Sequence, residues 1–169
     1  MRTLLRLSLG LALGFLGVSC ATQRPLLGNS EKAPHHITKV RTTAYTHTER
    51  GGPRNAIGER LSNSDVKSAA ADWSRWPLGT RFRIIETNEI FEIDDYGSAL
   101  VGTGTIDLYK SNRLAMKKWG VRSVDIDVIE WGSAEKSLEV LQPRKKNRSV
   151  RQMILALSKK SDDEPTEKF

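Results

Sequence analysis

The sequence predicts a small, mainly β fold: a six-stranded barrel with one short helix, followed by an amphipathic C-terminal helix. Three observations carry that expectation. Short runs alternating apolar and polar residues are separated by Gly, Pro and Asn, which is how short strands joined by turns read. Residues 111–120 form one compact helical segment that ends on glycine. Residues 149–160 place Val150, Met153, Ile154 and Leu157 at i, i+3, i+4 and i+7, one face of a helix.

The first 20 residues read as a leader rather than as fold. Arg2 and Arg6 precede an apolar run from Leu7 to Val18. These are the basic and apolar regions of an export signal, too short for the roughly 20 residues of a spanning helix. The run ends in LGVSCA. A cysteine after small residues at that place resembles a bacterial lipoprotein acylation site, with Leu16 one position earlier than the usual leucine. Lipid on Cys20 would anchor the chain to a membrane surface. Cleavage after Ala21, with Ser19 and Ala21 as the small residues, is the second reading. Both imply export; the first implies the cell envelope, on the periplasmic face of an outer membrane. Cys20 is the single cysteine, which rules out an intramolecular disulfide.

Residues 21–37 carry Pro25, Gly28, Asn29, Ser30 and Pro34 without a period, and read as a linker in which His35 and His36 are solvated. Strands are expected from Lys39 onward. In KVRTTAYT, Val40, Thr42, Ala44 and Thr46 share one face, and Arg41, Thr43, Tyr45 and His47 the other. A long Gly-, Pro- and Asn-rich loop follows, to Asp65, and its length points to function or mobility. A short buried strand runs through SAAAD, a turn falls at Pro77-Leu78-Gly79, a strand spans Thr80–Ile85, TNEI turns, and IFEID returns. TIDLY is a further strand. Ser111 is the expected cap of the helix SNRLAMKKWG, with Gly120 as its left-handed stop. VRSVDIDVIEW closes the barrel, so the domain is expected to span residues 38–132. Residues 133–169 form a basic extension. Its helix near 149–160 is expected to pack on the barrel or on a partner, and SDDEPTEKF to be a disordered tail.

The net charge of +7 raises the question of nucleic acid. Residues 38–132 hold 14 basic and 13 acidic residues, whereas the flanking segments hold four against one and nine against six. The basicity sits outside the domain, and no basic stripe interleaved with aromatics is present, which argues against a nucleic-acid partner. Neither HExxH nor paired-cysteine spacing occurs, so no metal or other cofactor is expected. Trp73, Trp76, Trp119 and Trp131 read as core or barrel-end packing.

The chemistry concentrates in FEIDDYGSALVGTGTIDLYK, residues 91–110. By alternation Phe91, Ile93 and Asp95 share one face and Glu92 and Asp94 the other, so Asp95 ends an apolar face and Asp94 points outward as a bystander. Burial there would raise the pKa of Asp95. Asp107 projects away from Ile106 and Leu108, on the face of Thr105 and Tyr109. Gly97, Gly102 and Gly104 permit positive φ and close approach of a ligand. An aspartate beside glycine is also a plain turn former, and Asp72 after SAAA a plain cap. Residue types and spacing leave both readings open.

Read together and in order, TTAYT, AADWSRWPLGTRFRI, DYGSALVGTGTIDLY and AMKKWG resemble the 3D (Asp-Asp-Asp) domain family. Its members resemble in turn the catalytic domain of the membrane-bound lytic transglycosylase A family. The resemblance covers residues 38–132 and implies a double-psi β-barrel. It makes Asp72, Asp95 and Asp107 the three signature aspartates. The chain departs from the family at Tyr96-Gly97-Ser98, where Thr-Gly-Gly is usual, at Val101, where lysine is common, and by one extra residue before Asp107.

The resemblance implies an exported monomeric enzyme that cleaves peptidoglycan glycan strands, between MurNAc and GlcNAc, by lytic transglycosylation. Asp107 is then the single general acid and base. Asp95 couples to it as a like charge or polarises a sugar hydroxyl. Thr43, Tyr45, Gly97 and Ser98 line the groove, and Asp72 ties backbone donors at a barrel crossing. His47, at the end of the first strand, is a candidate auxiliary base. The alternative is a non-catalytic glycan-binding envelope lipoprotein on the same barrel, since fold does not fix function.

Overall fold

The computed structural model describes residues 35–49 and 51–163. The leader, the acylation candidate Cys20, linker residues 21–34 and the tail from 164 lie outside the described residues. Those described belong to one unit, Ala33–Phe169; the other unit, Met1–Lys32, is outside them.

Six strands close into a barrel. They are β1 (His35–Tyr45), β2 (Val66–Ala70), β3 (Arg81–Ile84), β4 (Ile90–Asp95), β5 (Ile106–Tyr109) and β6 (Arg122–Glu130). Their order around the barrel is β1-β5-β2-β4-β3-β6. β1 pairs parallel with β5 and β2 parallel with β4; the remaining pairs are antiparallel. Closure leaves no unpaired strand edge among the six. Period-two alternation sends Val40, Thr42, Ala69, Phe82, Ile84, Phe91, Ile93, Ile106, Leu108, Val124 and Ile126 into a continuous core. Phe82 and Phe91 stack at its centre, 5.7 Å between ring centroids.

β1 begins earlier than the local pattern predicts. His35, His36 and Ile37, assigned above to the linker, pair with Val128, Asp127 and Ile126 of β6. The register then shifts before Val40, where Lys39 adopts a φ of 55° and donates its N–H to Asp125 Oδ1 at 2.8 Å. His36 Nδ1 lies 2.9 Å from Asp127 Oδ1. A strand that exists because of a distant partner leaves little trace in its own periodicity.

Helix α1 (Arg113–Trp119) lies between β5 and β6. Its cap is Asn112, not Ser111: the Asn112 side-chain oxygen accepts the Ala115 N–H at 2.8 Å. Gly120 ends it with a φ of 65°. Beyond the barrel the chain forms a helix absent from the expectation, α2 (Ala134–Leu141), capped by Ser133. A 3₁₀ turn (Gln142–Arg144) leads to α3 (Arg148–Asp163), which extends into the segment expected to be disordered.

The extension packs on the barrel. Leu141, Val150, Met153 and Leu157 are buried in the same core cluster as the strands. Each such burial stabilises by about 1.5–3 kcal/mol. Ser137 Oγ accepts the Leu78 N–H at 2.9 Å, and Lys160 Nζ donates to the Ser74 carbonyl at 2.7 Å. Among the described residues no helix is long and apolar enough to cross a membrane.

Candidate active site

A β-bulge decides where the acids point. Ala69 pairs with Ile93, yet Ala70 pairs with Asp95, so Asp94 is the extra residue on β4. A bulge interrupts alternation and re-aims the side chains beyond it. Asp95 therefore leaves the inward face of Phe91 and Ile93, where unbroken alternation placed it. It joins the outward face.

On that face four strands align in one row. Thr43 of β1 pairs with Asp107 of β5, Asp107 with Ala70 of β2, and Ala70 with Asp95 of β4. Directly opposed residues project to the same side of a sheet. Asp107 and Asp95 thus flank the methyl group of Ala70, about 10 Å apart at Cα, two strand spacings. A larger residue at position 70 would fill the space between them.

Each carboxyl has its own environment. Thr43 Oγ1 donates to Asp107 Oδ1 at 2.6 Å. Burial raises the pKa of Asp107; the Thr43 hydroxyl opposes this and the Glu49 carboxylate adds to it. Asp95 is pushed up to about 6, first by burial and then by the neighbouring Asp94 carboxylate. The N–H groups of Tyr96 and Ala56 and the charge of Arg144 hold it back. The like charge acting on Asp95 is thus Asp94, and that on Asp107 is Glu49; the two row carboxyls do not drive each other.

Tyr45, two residues beyond Thr43 on the same face, stands among the acids. Burial raises its pKa, and Asp95, Asp94 and Asp107 raise it further. The phenol therefore stays neutral, and its buried hydroxyl has no hydrogen-bond partner among the described residues. A buried, unpaired donor beside carboxyls is ready to hold a ligand oxygen. Tyr45 also tilts against Tyr109 at 5.6 Å, and the Tyr109 hydroxyl lies 2.9 Å from His47 Nδ1, so His47 is engaged by that phenol.

Asp94, set aside above as an outward bystander, is buried. Its Oδ2 accepts from Ser68 Oγ at 2.5 Å and from Asn55 Nδ2 at 2.9 Å, while Oδ1 is buried without a partner among the described residues. Burial raises its pKa against those two donors. The long loop after β1 is thereby fastened over β4, with Asn55 on Asp94 and Ala56 beside Asp95. Arg144, from the extension, donates to the Ala56 carbonyl at 2.8 Å and approaches the Tyr96 ring at 6.0 Å. Neither Asp94 nor Arg144 carries a local signal: one depends on the loop that Asn55 fastens over it, the other on packing of the extension.

Asp72 ties the chain together. Its Oδ1 accepts the N–H and the hydroxyl of Ser74, at 2.9 and 2.7 Å, and Oδ2 accepts the Gly102 N–H at 2.7 Å. Gly102 needs its φ of 79° to present that N–H. Gly97 keeps a negative φ; its carbonyl accepts the Leu100 N–H at 2.9 Å, and Ser98 is exposed. Trp73, Trp76 and Trp119 are buried. Trp131 is 50% exposed and stacks on Trp76, with 5.8 Å between centroids. Among the described residues no group of three or more His, Cys, Asp or Glu side chains is placed to hold a metal ion. No protein-family model matches the chain, and no curated protein matches it.

Proposed function

We propose that the protein cleaves peptidoglycan glycan strands by lytic transglycosylation, with Asp107 as general acid and then general base. The observation that carries the reading is the row on the outer barrel face. Two carboxyls, both inclined by burial to hold a proton, flank the methyl group of Ala70 near a neutral Tyr45 hydroxyl that has no partner among the described residues.

In this mechanism Asp107 gives its proton to the glycosidic oxygen as the bond from the MurNAc anomeric carbon breaks. The carboxylate then takes the proton of the muramoyl 6-hydroxyl as that oxygen bonds to the anomeric carbon. The products are a 1,6-anhydro ring and a free GlcNAc hydroxyl, with no water consumed. A raised pKa keeps the acid form populated at higher pH, and Thr43 returns some stability to the ionised form, so both steps are served. In this reading Tyr45 donates to a sugar oxygen and Asp95 accepts from a sugar hydroxyl. Asp72 holds the 96–104 loop in position. The double-psi connectivity, export, and anchoring through Cys20 to the outer membrane belong to the same proposal.

The test uses the full chain in neutral detergent with purified sacculi. Release of soluble glycan by the parent, lost in Asp107→Asn, supports the enzyme. Co-sedimentation with sacculi without any release would replace it by a glycan-binding module.

A further inference from the structure

A cavity lies at one mouth of the barrel, away from the carboxylate row. Ala69 and Leu108 face inward and pair across β2 and β5. Two residues further, alternation brings Lys67 and Lys110 to the same inward side, at the rim. Both ammonium groups lie over the Phe91 ring, at 6.0 and 5.2 Å from its centroid. Lys110 also lies 4.6 Å from the ring centre of Trp119, whose Nε1 donates to the inward-facing Thr42. The rim is thus floored by aromatic rings and carries two inward-facing cations, an expensive arrangement in a barrel core.

The local charge is not balanced. Among the described residues that line the cavity, Glu89 is the one acid. It reaches Lys67 at 3.0 Å and Lys110 at 3.4 Å, and these cations outweigh its burial and hold its pKa below the usual range. Lys118 and Arg122 line the same cavity, so four cations face one carboxylate. Burial lowers the pKa of Lys110 even with Glu89 nearby, a cost that an incoming anion would relieve. The cavity is open to solvent and has a volume of about 600 Å³. Barrel mouths of that size are common ligand sites.

We propose that this mouth binds a phosphate group. The excess of three positive charges suits a dianionic or trianionic group better than a single carboxylate. The donors point the same way. Arg122 is occupied, donating Nε to the Trp119 carbonyl at 2.8 Å and Nη2 to the Lys118 carbonyl at 2.8 Å, so its fork is not free for a carboxylate. What remains is ammonium groups, which bind phosphate as point charges. Asn63, Thr87 and Ser111 add neutral donors on the cavity wall. The site is independent of glycan cleavage, because Lys67 and Lys110 face inward at the rim while Asp95 and Asp107 face outward.

Calorimetric titration of the full chain in neutral detergent, at low salt and matched ionic strength, tests it. Inorganic phosphate, pyrophosphate and acetate are the probes. Saturable binding of phosphate and pyrophosphate but not acetate is expected. Lys110→Met should weaken pyrophosphate by about tenfold or more, the worth of a charged hydrogen bond. Lys118→Gln, on the surface and harmless to folding, should weaken it by about threefold. Asp107→Asn should bind as the parent does, even where glycan release is lost. Glycerol 3-phosphate and glucose 1-phosphate then distinguish a lipid headgroup from a sugar phosphate as the source. Equal affinity for acetate, absence of saturable phosphate and pyrophosphate binding, an unchanged affinity in Lys118→Gln, or loss of binding in Asp107→Asn would each overturn the proposal.

Discussion

Asp95 and Asp107 pair with the same residue, Ala70, from opposite sides, so one methyl group separates two carboxyls on the outer face of the barrel. That arrangement exists because β4 carries one residue more than β2 between Ile93 and Asp95. The space over Ala70 is where the row is most sensitive to mutation. Ala70→Val should destabilise the fold by about 1–3 kcal/mol, the usual cost of overpacking, as measured by urea unfolding. It should also reduce glycan release beyond what that loss explains. Unaltered release from a folded Ala70→Val protein would show that the gap is not used.

Asp94 raises Asp95 by its charge, and its removal should be visible at Asp95 itself. In Asp94→Asn the like charge is gone, so ionisation of Asp95 becomes easier and its midpoint should fall below about 6. Carbon-13 titration of the Asp95 carboxyl measures this directly. Asp94→Ala carries a second cost, because Ser68 and Asn55 lose their acceptor; about 1–3 kcal/mol of stability should go with it.

The raised pKa of Asp95 fixes the sign of a stability change with pH. Its folded value, about 6, lies above the ordinary value near 3.9, so the folded state holds the proton more tightly. The stabilisation is complete below about pH 3.9 and is lost as pH rises through about 6. Asp95→Asn should therefore flatten the fall in unfolding free energy between pH 4 and 7. At neutral pH it should be the more stable protein by about 1–3 kcal/mol. Urea unfolding of both proteins across that range checks slope and sign.

Much of the fold was legible in the sequence, and the misreadings share one cause. The alternation of Val40, Thr42 and Ala44, the turn at Pro77–Gly79, the stop at Gly120 and the apolar stripe of α3 are local signals, and the structure carries them. The start of β1 at His35, the bulge at Asp94 and the placement of Arg144 depend on residues far along the chain: His35 pairs with Val128, Ala70 with Asp95, and Arg144 bonds to Ala56. No window of neighbouring residues encodes such a partner. The cap at Asn112 instead of Ser111 was a choice between adjacent capable side chains. The acids stand out in the sequence, but their surroundings do not: alternation puts Asp95 on the inward face, which the bulge reverses, and leaves Asp94 exposed, whereas Asn55 of the loop after β1 covers it.

Thr43 offers a test of the acid and base roles without touching either carboxyl. Its hydroxyl stabilises ionised Asp107 at 2.6 Å. Thr43→Val removes the donor and keeps the shape, so the pKa of Asp107 should rise and the alkaline limb of the pH profile for glycan release should move to higher pH. A profile that scales down without shifting would separate Thr43 from the proton transfer.

Asp72 should behave as a structural residue. Asp72→Ala frees the Gly102 N–H and both Ser74 donors, at a cost of about 1–3 kcal/mol. Faster amide exchange confined to the 96–104 loop is the expected signature; unchanged exchange there would remove the role assigned to it.

The most direct measurement is the mass of glycan fragments released from sacculi in water enriched in oxygen-18. Lytic transglycosylation by Asp107 requires 1,6-anhydro products without label from the parent chain, and none from Asp107→Asn. Labelled reducing ends from the parent, or undiminished anhydro products from Asp107→Asn, would contradict it.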